Sequence, residues 1–251
     1  MTKIILRGCN GKMGQVISQL LQSDEKAQVV AGIDVNDNGL GNYPVYSSFT
    51  DCKMEGDVII DFSSPNKMEE MFEYALKKKT PIVLCTTGLS EEQDKMVIES
   101  SKEIAILRSA NMSLGINMLI KLLQEASKPL VEADYDIEII EKHHNQKVDA
   151  PSGTALALAD AINESLDNEY EYEYDRSQKR EKRSKNVIGI SAVRGGTIVG
   201  DHEVLFAGTD EVIELKHTAY SRNVFAKGAI QAAKYLDKKG PGLYNMNDVI
   251  S

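Results

Sequence analysis

Lys3-Ile4-Ile5-Leu6-Arg7-Gly8-Cys9-Asn10-Gly11-Lys12-Met13-Gly14 runs from a short apolar segment into three glycines at three-residue spacing. Behind it, Met13, Val16, Ile17, Leu20 and Leu21 recur at i, i+3, i+4, i+7 and i+8, the stripe of a helix with one core-facing side. A strand over 3–6, a glycine turn and a helix over about 11–22 make a βα unit. Its glycines let the backbone turn tightly and approach a pyrophosphate at the positive helix end. Gly8, Gly11 and Gly14, with Lys12 and Met13 between them, are therefore candidate cofactor contacts. The spacing is one residue longer than the usual dinucleotide fingerprint, so a plain βα turn stays open. Asp34 weighs against that alternative, because it ends the second apolar run, where a carboxylate can hydrogen-bond the adenosine ribose. Its competing role is a turn residue before Asn36-Asp37-Asn38-Gly39.

Working outward, apolar runs at 27–33, 58–62, 81–84 and 104–107 alternate with helical stretches, the rhythm of a parallel sheet. Ser64-Pro65 predicts an N-cap with a first-turn proline, and Ser90-Glu91-Glu92-Gln93 predicts a capping box. Near Ala110 the rhythm changes to a helix over 113–125, a strand over 135–141, a long helix after Ser152 and strands at 187–193, 203–206 and 212–215. Gly208-Thr209-Asp210 marks a hairpin turn. The fold class is α/β, a Rossmann-type parallel sheet domain plus an α+β domain with its own sheet. A final helix over 223–236 carries Phe225, Ala229, Ala232, Ala233 and Leu236 on one face and is expected to pack back on the first domain. The expected division is 1–111 with 223–251 for the dinucleotide, and 112–222 for substrate and oligomerisation. Residues 163–186, acidic and then basic, read as a solvated loop, with an oligomer contact as the alternative.

With 251 residues the chain is long enough for two moderate domains. A net charge of −9 argues against nucleic acid or an anionic membrane as partner. Three cysteines without Cys-x-x-Cys spacing favour neither a disulfide framework nor a thiolate metal site and fit a reducing cytoplasm. No apolar run approaches a membrane span, and the N-terminus lacks a signal-peptide pattern.

The chemistry concentrates in His143-His144-Asn145-Gln146-Lys147-Val148-Asp149-Ala150-Pro151-Ser152-Gly153-Thr154-Ala155. Two imidazoles at a strand exit can deliver a proton near neutral pH. Ser152, Gly153 and Thr154 begin a helix whose free N–H groups, dipole and hydroxyls form a carboxylate site, and Lys147 adds a full positive charge. A helix cap explains the Ser-Gly-Thr run equally well. A zinc site is the sharper alternative for the histidines, but no third ligand appears at a familiar spacing, so no metal is expected. No cation adjoins Asp34 to neutralise a 2′-phosphate, which predicts NADH preference or dual use with NADPH; Lys12 and Arg7 remain cations able to reach that phosphate. Another NAD-dependent dehydrogenase and a non-enzymatic nucleotide sensor are the competing functions.

Taken with Asp61-Phe62-Ser63-Ser64-Pro65, Thr86-Thr87-Gly88, Ala110-Asn111-Met112-Ser113, Arg194-Gly195-Gly196, Gly200-Asp201-His202 and Pro241-Gly242-Leu243-Tyr244, these motifs closely resemble the 4-hydroxy-tetrahydrodipicolinate (dihydrodipicolinate) reductase family over almost the whole chain. The resemblance implies NAD(P)H-dependent reduction of a small dicarboxylate in the diaminopimelate route to lysine. It also implies a cytoplasmic homotetramer built through an open mixed sheet, with hinges near Asn111 and Arg222. It makes His143 the general acid, with Lys147 anchoring and polarising the substrate, and gives the substrate carboxylates to His144, Lys147, Ser152, Gly153 and Thr154. Thr86, Thr87 and Gly88 with Ala110, Asn111 and Met112 would touch the nicotinamide. The chain departs from the family pattern at Cys85, where glycine is commoner, and between Tyr170 and Lys185.

Overall fold

The computed structural model describes residues 1–35 and 41–250. The first part of the chain forms β1 (Thr2–Arg7), α1 (Lys12–Leu21), β2 (Ala27–Ile33), β3 (Val45–Tyr46), β4 (Val58–Asp61), α2 (Met68–Lys78), β5 (Ile82–Leu84), α3 (Glu91–Ser100) and β6 (Ala105–Arg108). Then come α4 (Leu114–Glu132), β7 (Asp136–His143), α5 (Gly153–Ser165), β8 (Glu171–Glu173), β9 (Val187–Arg194), β10 (Gly200–Ala207) and β11 (Val212–Ala219). The chain finishes with α6 (Asn223–Leu236), β12 (Gly242–Tyr244) and α7 (Met246–Ile250). Two units result: Met1–Leu114 with Arg222–Ser251, and Gly115–Ser221.

The first unit holds a seven-stranded parallel sheet in the order β12-β6-β5-β4-β1-β2-β3. Strands such as β4 are buried along their whole length, which is why their sequences are apolar without alternation. One face is covered by α1 and α6. The other is covered by α2 and α3, through Met68, Met71, Phe72 and Val97. The helix over 223–236 packs back on this unit as its sequence predicts. Its Ala226, Ala229, Ala232 and Ala233 are small enough to lie close to the sheet, and burying Ile230 and Leu236 stabilises by about 1.5–3 kcal/mol each. Ser90 and Gln93 form the expected capping box at α3.

Ser64-Pro65 does not start a helix. The segment turns instead, with Met68 N donating to the Pro65 carbonyl, and α2 begins at Met68 after Lys67 in the left-handed region. The carbonyls of Ser64 and Asn66 are thereby turned onto the Arg7 guanidinium, a tertiary demand that overrides the local capping signal.

The second unit is an open mixed sheet, β11-β10-β7-β9-β8, antiparallel across β11, β10 and β7 and parallel from β7 through β9 to β8. α4 and α5 bury one face through Leu123, Leu158 and Ile162 against Ile139, Ile190 and Phe206. The hairpin at Gly208 closes as expected, with Gly208 N donating to the Glu211 carbonyl. α4 runs seven residues past its expected end, through Pro129, because Leu130 and Val131 still reach the core and outweigh the lost hydrogen bond. Most of residues 174–186 form the solvent-exposed loop their charges predict, whereas 163–165 complete α5 and 171–173 form a short strand. Tyr172 lies in the edge strand β8, and Arg183 is pinned by Asp136, Glu138 and the carbonyls of Ile137 and Val187. No helix among the described residues is long and apolar enough to cross a membrane.

Candidate active site

In the parallel sheet the strand order reverses between β1 and β4, and a crevice opens at their carboxyl ends. Arg7 and Asp61 stand opposite each other there, 3.0 Å apart and buried. Asp61 also accepts from Ser63 Oγ at 2.6 Å and Thr86 Oγ1 at 2.8 Å. This network ties the ends of β1, β4 and β5 together, so the loops that follow start from fixed points. It also engages Arg7, whose guanidinium donates to Asp61 and to the Ser64 and Asn66 carbonyls.

Gly8 lies at φ +79°, and a Cβ on Gly14 would stand 2.2 Å from the Gly8 carbonyl oxygen. The turn and the first helical turn are pressed together as only glycine permits. Gly11 is the N-cap of α1 and supplies no side-chain cap, and the first turn carries no acidic residue, which suits the helix start to an anion. Lys12 is exposed at this end, whereas Met13 packs toward the core. Asp34 accepts from Asn10 N at 2.9 Å and Val35 N at 2.8 Å, bracing the end of β2 against the glycine turn. A carboxylate has about four acceptor sites, so both oxygens keep capacity for a ribose hydroxyl. The Asn36-to-Gly39 turn lies outside the described residues. A cavity of about 450 Å³ adjoins Gly8, Gly11, Asp34, Val35, Ser47 and Lys67. These features fit the adenosine end of a dinucleotide.

A second cavity of about 520 Å³ gathers Thr86, Thr87, Gly88, Ala110, Cys85 and Tyr244. Thr86 spends its hydroxyl on Asp61, so Thr87 and Gly88 are the exposed members of that run. Asn111 accepts from Ser113 N, while the Met112 side chain is buried in the core.

In the second unit, β7 reaches His143, two residues beyond its expected end, so His143 is the last strand residue and not a turn residue. Strand alternation puts Ile137, Ile139, Glu141 and His143 on the face covered by α5, and the face changes from apolar to polar toward that end. His143 Nδ1 lies 2.6 Å from Glu141 Oε2. Arg194, opposite His143 on β9, donates to both Glu141 oxygens at 2.7 Å. His202, opposite Glu141 on β10, meets Ser152 Oγ at 3.0 Å and packs edge-on against His143 at 5.0 Å. Ser152 caps α5 through Ala155 N and donates its own N–H to Glu141. An added Cβ on Gly153 would meet nothing within 4 Å, so space is open beside the helix start. Burial pushes Glu141 up, but Arg194, His143 and Ser152 outweigh it and hold its carboxyl below the usual range.

Thus His143, Ser152, Gly153 and Thr154 come together around the start of α5. Lys147 pairs with Asp149 at 2.8 Å in the loop between β7 and α5, and His144 is half-buried just past the strand. Sequence reading missed Glu141, and it noted Arg194 and His202 only within family motifs, without a role at this site. The alternation of β7 held the signal for Glu141, a carboxylate on the same face as Ile137 and Ile139. Among the described residues no group of His, Cys, Asp and Glu is arranged to hold a metal ion.

Family models described as dihydrodipicolinate reductase, N-terminus and C-terminus, match residues 2–112 and 115–250. The chain is 55% identical over 250 residues to a 4-hydroxy-tetrahydrodipicolinate reductase of Caldanaerobacter subterraneus subsp. tengcongensis, and 51% identical to one of Clostridium novyi. Each match covers 100% of this chain and 98% of the relative. A dipicolinate-bound dihydrodipicolinate reductase from Paenisporosarcina sp. TG-14 superposes with TM-score 0.80 at 25% identity, covering 98% of this chain and 97% of that one. A probable dehydrogenase from Thermotoga maritima shares the fold alone, at TM-score 0.64 and 14% identity.

Proposed function

Because the chain belongs to the dihydrodipicolinate reductase family, we propose that the groups around the start of α5 handle the substrate while the glycine turn of the other unit holds the cofactor. Its activity is the NAD(P)H-dependent reduction of 4-hydroxy-tetrahydrodipicolinate to tetrahydrodipicolinate in the diaminopimelate route to lysine. In this conversion the 4-hydroxyl leaves as water, and a hydride and a proton are added to the conjugated ring. Bound reduced nicotinamide supplies the hydride.

The chain's own residues do the rest. His143 delivers the proton from Nε2, the ring nitrogen not engaged by Glu141. Lys147 anchors a substrate carboxylate and draws electron density from the ring. His144, Ser152, Gly153 and Thr154 hold the carboxylates at the helix start, whose dipole favours negative charge. Gly8, Gly11, Lys12, Met13 and Gly14 cradle the pyrophosphate, with Asp34 on the ribose. Thr86, Thr87, Gly88, Ala110, Asn111 and Met112 line the nicotinamide end. The observation that carries the reading is the imidazole of His143, held by a buried carboxylate beside the capped start of α5.

For the cofactor, NADH preference or dual use follows from Asp34, which opposes a 2′-phosphate. Lys67 lines the same cavity and supplies the positive charge that would let NADPH serve as well. The assembly is a homotetramer in the cytoplasm. Support comes from the uncovered face of the mixed sheet, where Ile140, Leu205 and the exposed Val212 share a side, and from three cysteines that form no disulfide.

The test couples purified protein to the fresh product of pyruvate and aspartate semialdehyde condensation and follows NADH and NADPH oxidation. Comparable kcat/KM values, or a higher one for NADH, are expected; a strong NADPH preference would overturn the Asp34 argument. His143→Gln should lower kcat far more than it raises KM, and Lys147→Ala should damage both. Unchanged turnover in the His143 variant removes its acid role.

A further inference from the structure

Glu141 is entirely buried. Four donors surround its carboxylate: His143 Nδ1 at 2.6 Å, Ser152 N at 2.9 Å, and two guanidinium nitrogens of Arg194 at 2.7 Å each. An ionised carboxylate can only accept, so the contact with His143 requires the proton on Nδ1. Nε2 is then the nitrogen free to exchange a proton. Gly200 keeps that edge clear, since an added Cβ there would approach Nε2 to 3.2 Å.

We propose that Glu141 is the positioning residue of the proton transfer, fixing the Nδ1-protonated form of His143, leaving Nε2 to exchange the proton and stabilising the imidazolium, while Arg194 keeps the carboxylate ionised. The inference rests on the reading of His143 as proton donor. In each turnover the Nε2 proton passes to substrate, the neutral ring keeps its Nδ1 proton against Glu141, and water returns a proton to Nε2. Arg194 prevents the alternative in which Glu141 takes the proton itself. It also donates to the Asp149 carbonyl, so the same guanidinium fastens the loop that carries Lys147.

The other charged and titratable groups around His143 do not replace this arrangement. Arg194 faces it from β9 and His202 from β10. Asp201 and His217 act on His202 from β10 and β11. Burial first, then His143, pushes His202 down to about 4, so it is uncharged near neutrality and supplies no counter-charge to an imidazolium beside it. From the N-cap of α5 the neutral Ser152 reaches the cluster.

The experiment pairs Glu141→Gln with nitrogen-15 NMR of the histidines in the unaltered full-length protein. Glutamine keeps the shape and removes the charge. We expect kcat to fall about 10- to 100-fold, as for other residues that orient a functional imidazole, with KM changed less than about threefold. The alkaline limb of the kcat/KM profile should move to lower pH. The wild-type spectrum should show neutral His143 protonated at Nδ1. A neutral ring protonated at Nε2 overturns the proposal without any variant. So does a Glu141→Gln protein that melts earlier but retains kcat and the pH limb, since that is the behaviour of a purely structural carboxylate. His143→Gln is measured alongside: wild-type turnover in that variant sinks the His143 reading itself, whereas a large loss there with none in Glu141→Gln sinks only the role of Glu141.

Discussion

Acidification should expose the buried His202 through the stability of the second unit. Its ring is held neutral by burial, by His143 and by His217 against the opposing pull of Glu141 and Asp201, with the outcome about 4 compared with an ordinary 6.5. Between those two values the unfolded chain binds a proton that the native protein refuses. The stability contribution is therefore complete above about 6.5 and is lost as the pH falls toward 4. Worked through linkage, the loss is about 2 kcal/mol between pH 7 and pH 5 and nears about 3 kcal/mol at pH 4. Urea unfolding of wild type and His202→Gln at pH 7 and pH 5, followed by circular dichroism, isolates it. Glutamine can still place a nitrogen near Ser152 Oγ, and the carboxylates common to both proteins cancel in the difference. Wild type should lose about 2 kcal/mol more than the variant over that interval. Equal losses would mean that native His202 takes up its proton like an exposed imidazole, and would refute the reasoning.

Two further outcomes follow from the parallel sheet. Asp61→Asn leaves the Arg7 guanidinium buried without a counter-charge and should cost about 3–5 kcal/mol in chemical denaturation; a loss below about 1 kcal/mol would show that water reaches the pair. Gly14→Ala drives a methyl group into the Gly8 carbonyl and the Cys9 backbone. Local displacement of the turn should weaken NADH binding about tenfold or more by titration calorimetry, and unchanged affinity would detach the turn from the cofactor.

The parts of the molecule governed by local rules were readable in the chain. The glycine turn, the capping box at Ser90 and the start of α5 each depend on residues within a few positions, and all formed as expected. What escaped sequence reading depends on partners far away in the chain. Ser64 lost its capping role because Arg7 needed two carbonyls. α4 continued through Pro129 because Leu130 and Val131 found a core, and Arg183, within the charged loop before β9, is held by Asp136 and Glu138 on β7. The same separation hid part of the site. His143 and Ser152 stood out by residue type, but Arg194 and His202 join them only through strand pairing, 51 and 59 positions after His143. Glu141 was visible in principle, as a carboxylate in phase with buried isoleucines.

The first unit draws on both ends of the chain, with the whole of the second unit between them. A ribosome delivers those ends at different times. After Met112 emerges, Ile4, Leu6, Ile60 and Val83 must wait for α6, whose Ile230 and Leu236 belong to the same core. At about 5–20 residues per second that wait lasts about 6 to 25 s, during which the part of this sheet face that α6 covers, beside α1, is bare apolar surface open to chaperones or to aggregation. The intervening segment, by contrast, has its complete complement of strands and helices before the last α6 residue appears. Synthesis and completion therefore run in opposite order, with the middle of the chain able to finish first and its beginning last.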